Sequence, residues 1–573
     1  MKKFFLRIFP FLVILFFSLF ACQKLFNSQF YTSHDGEGHV IRLIEFDNAL
    51  SEGQFPVRFA KRINHGLGYP YFNFNYPFIY YLGVGLHHAG FSYVTAFKAL
   101  MILSVLLSGF GMYLFCKKYF STIASLTASI FYILAPYRLL VMYVRGSVAE
   151  EFALGLLPFL FLAVELLIEK KKGSFWFFIF ILSVLITAHN ITAFFATPFL
   201  VLYFFLRILR KREKKELIAK LVSVILLSGM LTAFFWFPAL YEAPNTKLAE
   251  LTQDYKLFFP SVSEIIYSPW GFGAYLQGNV PGKMSPQIGI IHVAIAVVAI
   301  ILLCFRLFTK KREEKDNLFL GFILVALICF FLLFPTSLFI WDHAFYLQLV
   351  QHPWRLVGYI IMSTSIAAAY SISCIKNKKL AMACFVIIVA ILLYTTRNMI
   401  RVNMYVPFRN PFDYSQVYGP STTSKDEHMP RLAPRVYQDP NPNGDLIAST
   451  SGTVKRIVWR STYHKFIVHL SKAADLRDNT SYFPGWKGYV DGRQVPLLYI
   501  TDEFYRLRVH VPKGNHIVEF KYSEIWYRLI ADILSLLTLF SIVVILVVVW
   551  IKQKSSKKFQ KKLKTAPNVK KTK

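Results

Sequence analysis

The stretch that decides the fold is YVTAFKALMILSVLLSGFGMYLFCKK, residues 93–118. It is almost wholly apolar from Tyr93 to Phe115. That length suffices to cross a bilayer, because a membrane-spanning helix needs about 20 predominantly apolar residues. The pair Lys117-Lys118 follows at once, and lysine concentrates in cytoplasmic loops. The stretch therefore predicts a transmembrane helix and also its direction.

The same pattern, an apolar run followed by a basic cluster, recurs along the chain, with return runs in between. Counting both kinds predicts about twelve spans, and all the basic clusters then fall on one side, as cytoplasmic loops do. Both termini are expected in the cytoplasm. The predicted spans are 4–21, 93–115, 122–136, 148–168, 175–188, 191–206, 221–237, 288–305, 318–334, 357–373, 380–394 and 529–551.

The composition agrees with a polytopic α-helical membrane protein. Of the 573 residues 55% are hydrophobic, and the mean hydropathy of +0.45 is too high for a soluble chain of this length. The formal charge of +32 is explained by basic cytoplasmic loops, so membrane lipids and no nucleic acid are the expected partners. The sequence contains neither a phosphate-binding glycine loop nor cysteines at metal-ligand spacing.

Two segments admit more than one interpretation. Leu19-Phe20-Ala21-Cys22 resembles a lipoprotein cleavage box, but Phe20 is bulky for that position and many spans follow. An uncleaved first helix is therefore favoured over cleavage at Cys22. Residues 76–90 are apolar but short, and a full span there would reverse every later loop, so they are predicted to be interfacial or re-entrant.

Four regions follow from this pattern. Residues 1–395 form a transmembrane core whose first outer loop is 23–92, and residues 396–524 form an extracytoplasmic domain. That domain is rich in loop residues from 406 to 451. Two hairpins with turns at Asp491-Gly492 and Lys513-Gly514, the first returning over 495–500, then predict a small antiparallel sandwich. Residues 525–551 form the last helix, and 552–573 a basic cytoplasmic tail.

Residues 33–42, SHDGEGHVIR, place two carboxylates and two imidazoles beside the first span. Titratable groups at the edge of a membrane core indicate a functional site. Asp35 is the candidate catalytic residue, a general base toward a hydroxyl acceptor. The alternative is a solvated loop acid. Glu37 is the candidate second acid, and His34 stands beside Asp35.

Cationic side chains predicted on the same face form a second set. A guanidinium suits a phosphate, because it offers paired donors. Anchoring of helix ends in the interface is the alternative for each arginine. His189 is either a helix cap or a phosphate donor. The candidate substrate-binding residues are His34, Glu37, Arg58, Arg145, Glu150, His189, Trp354 and Arg355.

Several short motifs occur in a familiar order. They are Gly68-Tyr69-Pro70-Tyr71-Phe72, Arg145-Gly146 with Glu150, Ala188-His189-Asn190, His352-Pro353-Trp354-Arg355, Glu427-His428-Met429-Pro430 and Tyr482-Phe483-Pro484-Gly485-Trp486. Together they resemble bacterial YfhO-like membrane proteins and those labelled 6-pyruvoyl-tetrahydropterin synthase-related. Such proteins are similar to the GT-C superfamily of membrane glycosyltransferases.

The resemblance implies a GT-C-like fold with the β-sandwich before the last helix, in the bacterial cytoplasmic membrane. It implies a sugar donor on polyprenyl phosphate, an envelope glycan, lipid or protein acceptor on the extracytoplasmic face, and Asp35 as base. Many GT-C enzymes carry paired acids at this position, whereas Asp35 here precedes Glu37 in an Asp-X-Glu order. A divalent cation, Mg²⁺ or Mn²⁺, is therefore only a possible cofactor. The alternatives to an active enzyme are a transporter or flippase, or a non-catalytic assembly factor, for lipid-linked glycans.

Overall fold

The computed structural model of the chain describes residues 2–64, 66–209, 211–251, 254–278, 280–407, 426–433 and 452–565. Most of the predicted loop-rich stretch 406–451 lies outside these residues, as does the end of the basic tail. The α-helices are α1 (Lys2–Ala21), α2 (Gly36–Ser51), α3 (Tyr71–Phe74), α4 (Phe78–His88), α5 (Tyr93–Cys116), α6 (Thr122–Ile133), α7 (Pro136–Leu140), α8 (Val148–Ile168), α9 (Ser174–Ala188), α10 (Asn190–Ile208), α11 (Lys214–Leu231), α12 (Ala233–Glu242), α13 (Val262–Ile266), α14 (Ile290–Phe308), α15 (Glu314–Leu332), α16 (Leu338–His343), α17 (Phe345–Gln348), α18 (Val357–Ser373), α19 (Lys378–Thr396) and α20 (Trp526–Thr565).

The helices confirm a polytopic membrane protein. Within the described residues, 9 helices are long and apolar enough to cross a membrane. The pair α11 and α12 adds a further span if its 75° bend lies within one crossing, and α1 and α9 are shorter apolar helices. Each of the predicted spans therefore corresponds to a helix or, for 221–237, to a bent pair. The predicted short segment 76–90 contains α4, which has only 11 residues.

The centre of the bundle is built from α5, α6, α8 and α18. Small residues allow their backbones to approach closely, as is common between membrane helices. At Gly155 of α8, an added Cβ would lie 2.6 Å from the carbonyl oxygen of Ser104 in α5. The Ser129 hydroxyl of α6 donates to the Gly109 carbonyl of α5 at 3.0 Å. These close contacts fix the helices whose ends carry the candidate site.

The basic loops meet at one end of the bundle. Lys118 contacts Glu169 across two loops at 2.6 Å, and Lys170 contacts Glu216 in the next loop at 2.8 Å. Arg207 extends the cluster to Glu314 at 2.8 Å. The connections at the opposite ends of the same helices carry the candidate site residues.

A β-domain precedes α20, as the sequence predicts. Its strands lie in a five-stranded antiparallel sheet, β3-β4-β9-β6-β7, and a two-stranded sheet, β5-β8. A further pair, β1-β2, joins residues near α1 to those after α19. The strands are β1 (Phe30–Tyr31), β2 (Tyr405–Val406), β3 (Gly452–Trp459), β4 (Tyr463–Leu470), β5 (Ala474–Ser481), β6 (Trp486–Val490), β7 (Arg493–Val495), β8 (Arg506–Val511) and β9 (Gly514–Tyr522).

The structure corrects three details of the predicted domains. The Asp491-Gly492 turn does close a hairpin, between β6 and β7. Its return strand β7 covers only Arg493–Val495 rather than the predicted 495–500. The predicted hairpin at Lys513-Gly514 is wrong, because β8 pairs with β5 and β9 pairs with β4 and β6. Apolar side chains of both strands instead contribute to one core, namely Leu507, Val509 and Val511 of β8 and Val518 and Phe520 of β9. Finally, the last helix continues to Thr565 rather than ending at 551.

The β-domain packs on the first outer loop, residues 23–92. Phe59 and Phe74 of this loop belong to the apolar core of the β-domain, and the Phe59 ring lies 5.6 Å from that of Trp486. Arg58 donates to Glu524 at 2.8 Å and to Asp532 of α20 at 2.7 Å. The first loop is thus fixed between the helix bundle, the β-domain and the last helix.

Candidate functional site

A cavity of about 690 Å³ lies among the helix ends remote from the basic loops. It is bounded by the start of α2, the turn before α8, the turn between α9 and α10, the helix α12 and the segment before α18. The predicted site residues that line it are His34, Asp35, Glu37, Arg145, His189 and Arg355. Residues far apart in the sequence therefore meet in one place.

The start of α2 presents its two acids differently. Glu37 is buried and accepts hydrogen bonds from the Ser33 amide at 3.3 Å and the Ser33 hydroxyl at 3.1 Å. Burial raises the pKa of the Glu37 carboxyl. Asp35 precedes the helix, makes no side-chain capping bond and leaves 40% of its side chain exposed. Asp35 is therefore the available carboxylate, and Glu37 stabilises the turn that carries it.

A π-helical turn, Val141–Arg145, delivers Arg145 to the cavity. It runs beside the Asp35 loop, since the His34 amide donates to the Val144 carbonyl at 3.1 Å and the Asp35 amide to the Arg145 carbonyl at 2.7 Å. Gly146 then turns the chain with φ of +64°. A Cβ there would lie 2.9 Å from the nitrogen of Gly36. Two glycines thus let the loops approach closely enough for Asp35 to reach Arg145.

Arg145 is held on three sides. One guanidinium nitrogen donates to the buried Glu150 carboxylate, and Nη2 lies 3.3 Å from Oδ2 of Asp35. The guanidinium also lies 4.8 Å from the centre of the Trp354 ring, a cation–π distance. Glu150 and Trp354 do not themselves line the cavity. They orient Arg145 rather than forming the predicted substrate contacts.

Arg355 brings a second positive charge to the same wall. Its Nη1 donates to the Val350 carbonyl at 2.8 Å, and its Nε lies 3.9 Å from Oε2 of Glu150. Glu150 therefore stands between two arginines. Because one buried carboxylate faces two guanidinium groups, this wall of the cavity suits an anion that binds through paired donors.

His189 closes the site from the α9–α10 turn. Its Nδ1 lies 2.7 Å from the Thr192 hydroxyl and accepts from the Thr192 amide at 3.3 Å, so the neutral ring carries its proton on Nε2. The ring lies 5.2 Å from that of Tyr76. Burial lowers the pKa of His189 to about 3, so the ring is neutral near pH 7. His189 is thus the predicted helix cap, and it also lines the cavity.

The structure does not place Arg58 at the predicted substrate site. Arg58 does not line the cavity and is 2% exposed. Its guanidinium is occupied by Glu524, Asp532, the side chain of Asn73 and the Phe234 carbonyl. Arg58 therefore joins the first loop to α20, and sequence position alone did not reveal partners more than 460 residues away.

Six further residues line the cavity although they are not among the candidate site residues: His39, Arg42, Tyr71, Asn75, His352 and His428. Helical spacing could have predicted two of them, because His39 and Arg42 lie four and seven residues after Asp35 and therefore share one face of α2. The Arg42 guanidinium lies 4.4 Å from the centre of the Tyr71 ring. His352 stacks on Trp354 with ring centres 4.8 Å apart.

The other side of the cavity is apolar. Ile186 and Phe194 line it from α9 and α10, Leu240 from α12 and Tyr346 from α17. Phe194, Leu240 and Tyr346 are also among the exposed large apolar side chains of the protein. The cavity thus reaches from charged groups at its wall to an apolar outer surface of the bundle.

The side chains at the site do not offer the oxygen ligands that a divalent cation needs. Mg²⁺ and Mn²⁺ prefer several oxygen ligands, yet Glu37 is engaged by Ser33 and Glu150 by Arg145. Asp35 has Arg145 at 3.3 Å. In the part of the chain that the structure describes, no cluster of three or more His, Cys, Asp or Glu residues is suited to a metal.

Comparisons with known proteins establish the family. The sequence profile described as "6-pyruvoyl-tetrahydropterin synthase related domain; membrane protein" matches residues 72–403, more than half of the chain. The chain belongs to this family. The matched region contains Arg145, His189 and Arg355 and confirms the predicted family, whereas Asp35 lies before it. No curated protein matches the chain.

Solved structures of an oligosaccharyltransferase from Archaeoglobus fulgidus are similar. The apo form is 13% identical over 76% of this chain, with a TM-score of 0.46. A second structure, tethered to an acceptor peptide containing the NVT sequon, is 13% identical over 70% of this chain, with a TM-score of 0.44. The chain spans 62% and 55% of the lengths of these two structures.

Proposed function

We propose that this protein is a membrane glycosyltransferase that moves a sugar from a polyprenyl-phosphate donor to a hydroxyl acceptor. The observation that carries the proposal is the position of the Asp35 carboxylate, 3.3 Å from an arginine that shares one cavity wall with Arg355. A base and an anion site then lie side by side, as transfer from a phosphate-linked sugar requires.

The phosphate of the donor binds to Arg145 and Arg355, with Nε2 of His189, which carries the proton of the neutral ring, as an additional donor. Glu150 and Trp354 hold Arg145 in place. Glu150 faces both arginines, so these three groups together carry one positive charge toward a phosphate. The polyprenyl chain lies along Ile186, Phe194 and Leu240 and enters laterally from the membrane, which the exposure of Phe194 and Leu240 supports.

In the transfer step, Asp35 accepts the proton of the acceptor hydroxyl. The acceptor oxygen forms a bond to the anomeric carbon while the bond between that carbon and the phosphate oxygen breaks. Both electrons of the broken bond stay on the phosphate, and the arginines stabilise the resulting charge. Polyprenyl phosphate and the glycosylated acceptor are the products, and no metal takes part in this scheme.

The location also belongs to the proposal. The cavity lies opposite the basic loops, and basic loops are cytoplasmic in bacterial membrane proteins. We therefore infer an extracytoplasmic active face, with both termini in the cytoplasm. The β-domain packs on the first loop through Phe59 and Phe74. It is thus suited to present an envelope glycan, lipid or protein acceptor to Asp35.

An Asp35→Asn variant tests the proposal. Sugar transfer from a panel of polyprenyl-phosphate-linked hexoses should fall by at least about 100-fold, the lower range for loss of a general base. Asp47→Asn is the matched control, because Asp47 is in the same helix but bonds His88 and Tyr93 away from the cavity. Unchanged transfer in Asp35→Asn would remove Asp35 as base. Translocation of the glycolipid by the wild type without transfer would favour a transporter.

A further inference from the structure

A short segment after α19 contributes to the cavity from outside the helix bundle. Residues 426–433 lie between the first loop and the segment after α12. The Tyr69 hydroxyl accepts from the His428 amide at 3.0 Å, and the Lys247 amide donates to the Met429 carbonyl at 3.0 Å. The Arg431 amide donates to the Asn245 carbonyl at 3.0 Å. This segment is therefore anchored on both sides, and it holds His428 at the cavity.

The surroundings of His428 fix its tautomer. The Asn75 side-chain amide nitrogen lies 2.8 Å from Nε2 of His428 and 3.2 Å from the Tyr71 carbonyl. An amide nitrogen can only donate, so Nε2 accepts and the neutral ring carries its proton on Nδ1. Phe74 stacks on the imidazole, with ring centres 4.8 Å apart and planes 15° from parallel. The ring is held on one face and at one nitrogen.

The remaining nitrogen is unsatisfied. Nδ1 of His428 is buried and has no hydrogen-bond partner among the described residues, and the residue is only 6% exposed. A buried donor without an acceptor is unfavourable, so an acceptor oxygen of a ligand would stabilise it. Burial and nearby Arg42 lower the pKa of His428 to about 3. The group therefore offers a neutral donor at physiological pH, whereas Arg145 and Arg355 offer the charged donors that suit the phosphate.

We propose that His428 holds the sugar of the donor, with Nδ1–H donating to a hydroxyl or amide carbonyl oxygen of that sugar. The inference rests on the proposed function and assigns the two ends of the donor head group to different side chains of the cavity. Arg145 and Arg355 bind the phosphate, while His428, positioned by Asn75 and Phe74, binds the sugar. The segment 426–433 thus contributes one donor to the sugar through His428.

The experiment compares two lipids on the full-length protein in detergent: polyprenyl phosphate and the same lipid carrying a hexose. His428→Phe keeps an aromatic ring on Phe74 but removes the donor, and His428→Gln restores a donating amide. We expect His428→Phe to bind polyprenyl phosphate like the wild type and the glycosylated lipid about tenfold more weakly, since a net hydrogen bond is worth about 1 kcal/mol or slightly more. His428→Gln should recover part of the loss.

The control is His469→Phe, because His469 lies exposed on the β-domain and does not line the cavity. Equal affinity of His428→Phe and the wild type for the glycosylated lipid would overturn the inference, as would an equal loss for both lipids. If the wild type transfers sugar but His428→Phe shows no sugar-dependent loss, only the inference fails. If the wild type binds neither lipid, the proposed function fails with it.

Discussion

Neutralising Glu150 should strengthen the binding of polyprenyl phosphate although it weakens the fold. In Glu150→Gln the side chain keeps its shape and the charge between Arg145 and Arg355 disappears. At the observed 3.9 Å from Arg355 Nε, a carboxylate attracts the guanidinium by about 4 kcal/mol at an effective dielectric constant of about 20. That attraction competes with a bound phosphate, and its removal leaves both arginines to the ligand.

Only part of this energy appears as affinity, because the arginines relax toward Asp35 and water. One third of it, about 1.4 kcal/mol, already corresponds to tenfold tighter binding. We therefore expect the dissociation constant of polyprenyl phosphate to fall by at least about tenfold. Without ligand, two cations lose their counter-charge, and unfolding should become easier by up to about 3–5 kcal/mol. The turnover rate should fall, because Arg145 now engages Asp35 more strongly.

The assay is thermal unfolding in detergent across a polyprenyl phosphate titration, with transfer rates measured in parallel. The matched control is Glu165→Gln, at the other end of α8. Glu165 is also buried and also bonds an arginine, Arg207, at 2.8 Å, together with two tyrosines. It should lose stability with no change in lipid affinity. Weaker or unchanged phosphate binding in Glu150→Gln would refute the placement of the phosphate at Arg145 and Arg355.

Two further substitutions test how the site is held. Gly146→Ala should lower both the transfer rate and the melting temperature. It costs about 1–2 kcal/mol for the left-handed backbone, and it places a Cβ 2.5 Å from the Ser33 hydroxyl. The control Gly173→Ala, at φ of +79° in open space, should lower stability alone, and equal transfer rates in the two variants would contradict the prediction. Arg58→Met should destabilise by about 3–5 kcal/mol, because it leaves Asp532 and Glu524 without their partner, yet polyprenyl phosphate affinity of the folded protein should not change. A calorimetric melt and a lipid-binding titration decide the second case, and a selective loss of lipid affinity would return Arg58 to the binding site.

Part of the site was open to prediction from the sequence. Asp35 stands out because a carboxylate beside an apolar span is costly without a role. Arg145, His189 and Arg355 were selected by their positions at helix ends on one predicted face, and the structure brings all three to one cavity. His39 and Arg42 follow from helical spacing once α2 is recognised. Arg58 satisfied the same criteria, so residue type and predicted face do not separate a ligand contact from an internal ion pair.

The sequence by itself determined the membrane class, the positions of the spans and the presence of a β-domain before the last helix. These properties are local, because apolar length, basic clusters and strand alternation are read within about 20 residues. Only the tertiary structure decided which charges meet. Glu150 contacts two arginines that are 210 positions apart in the sequence. Arg58 forms an ion pair with α20, and the consecutive strands β8 and β9 lie in separate sheets. Such contacts depend on how closely two backbone segments can approach, as at Gly36 and Gly146, where a Cβ on Gly146 would lie 2.9 Å from the Gly36 nitrogen. A pattern read within about 20 residues does not contain the separation of two segments that are distant in the sequence.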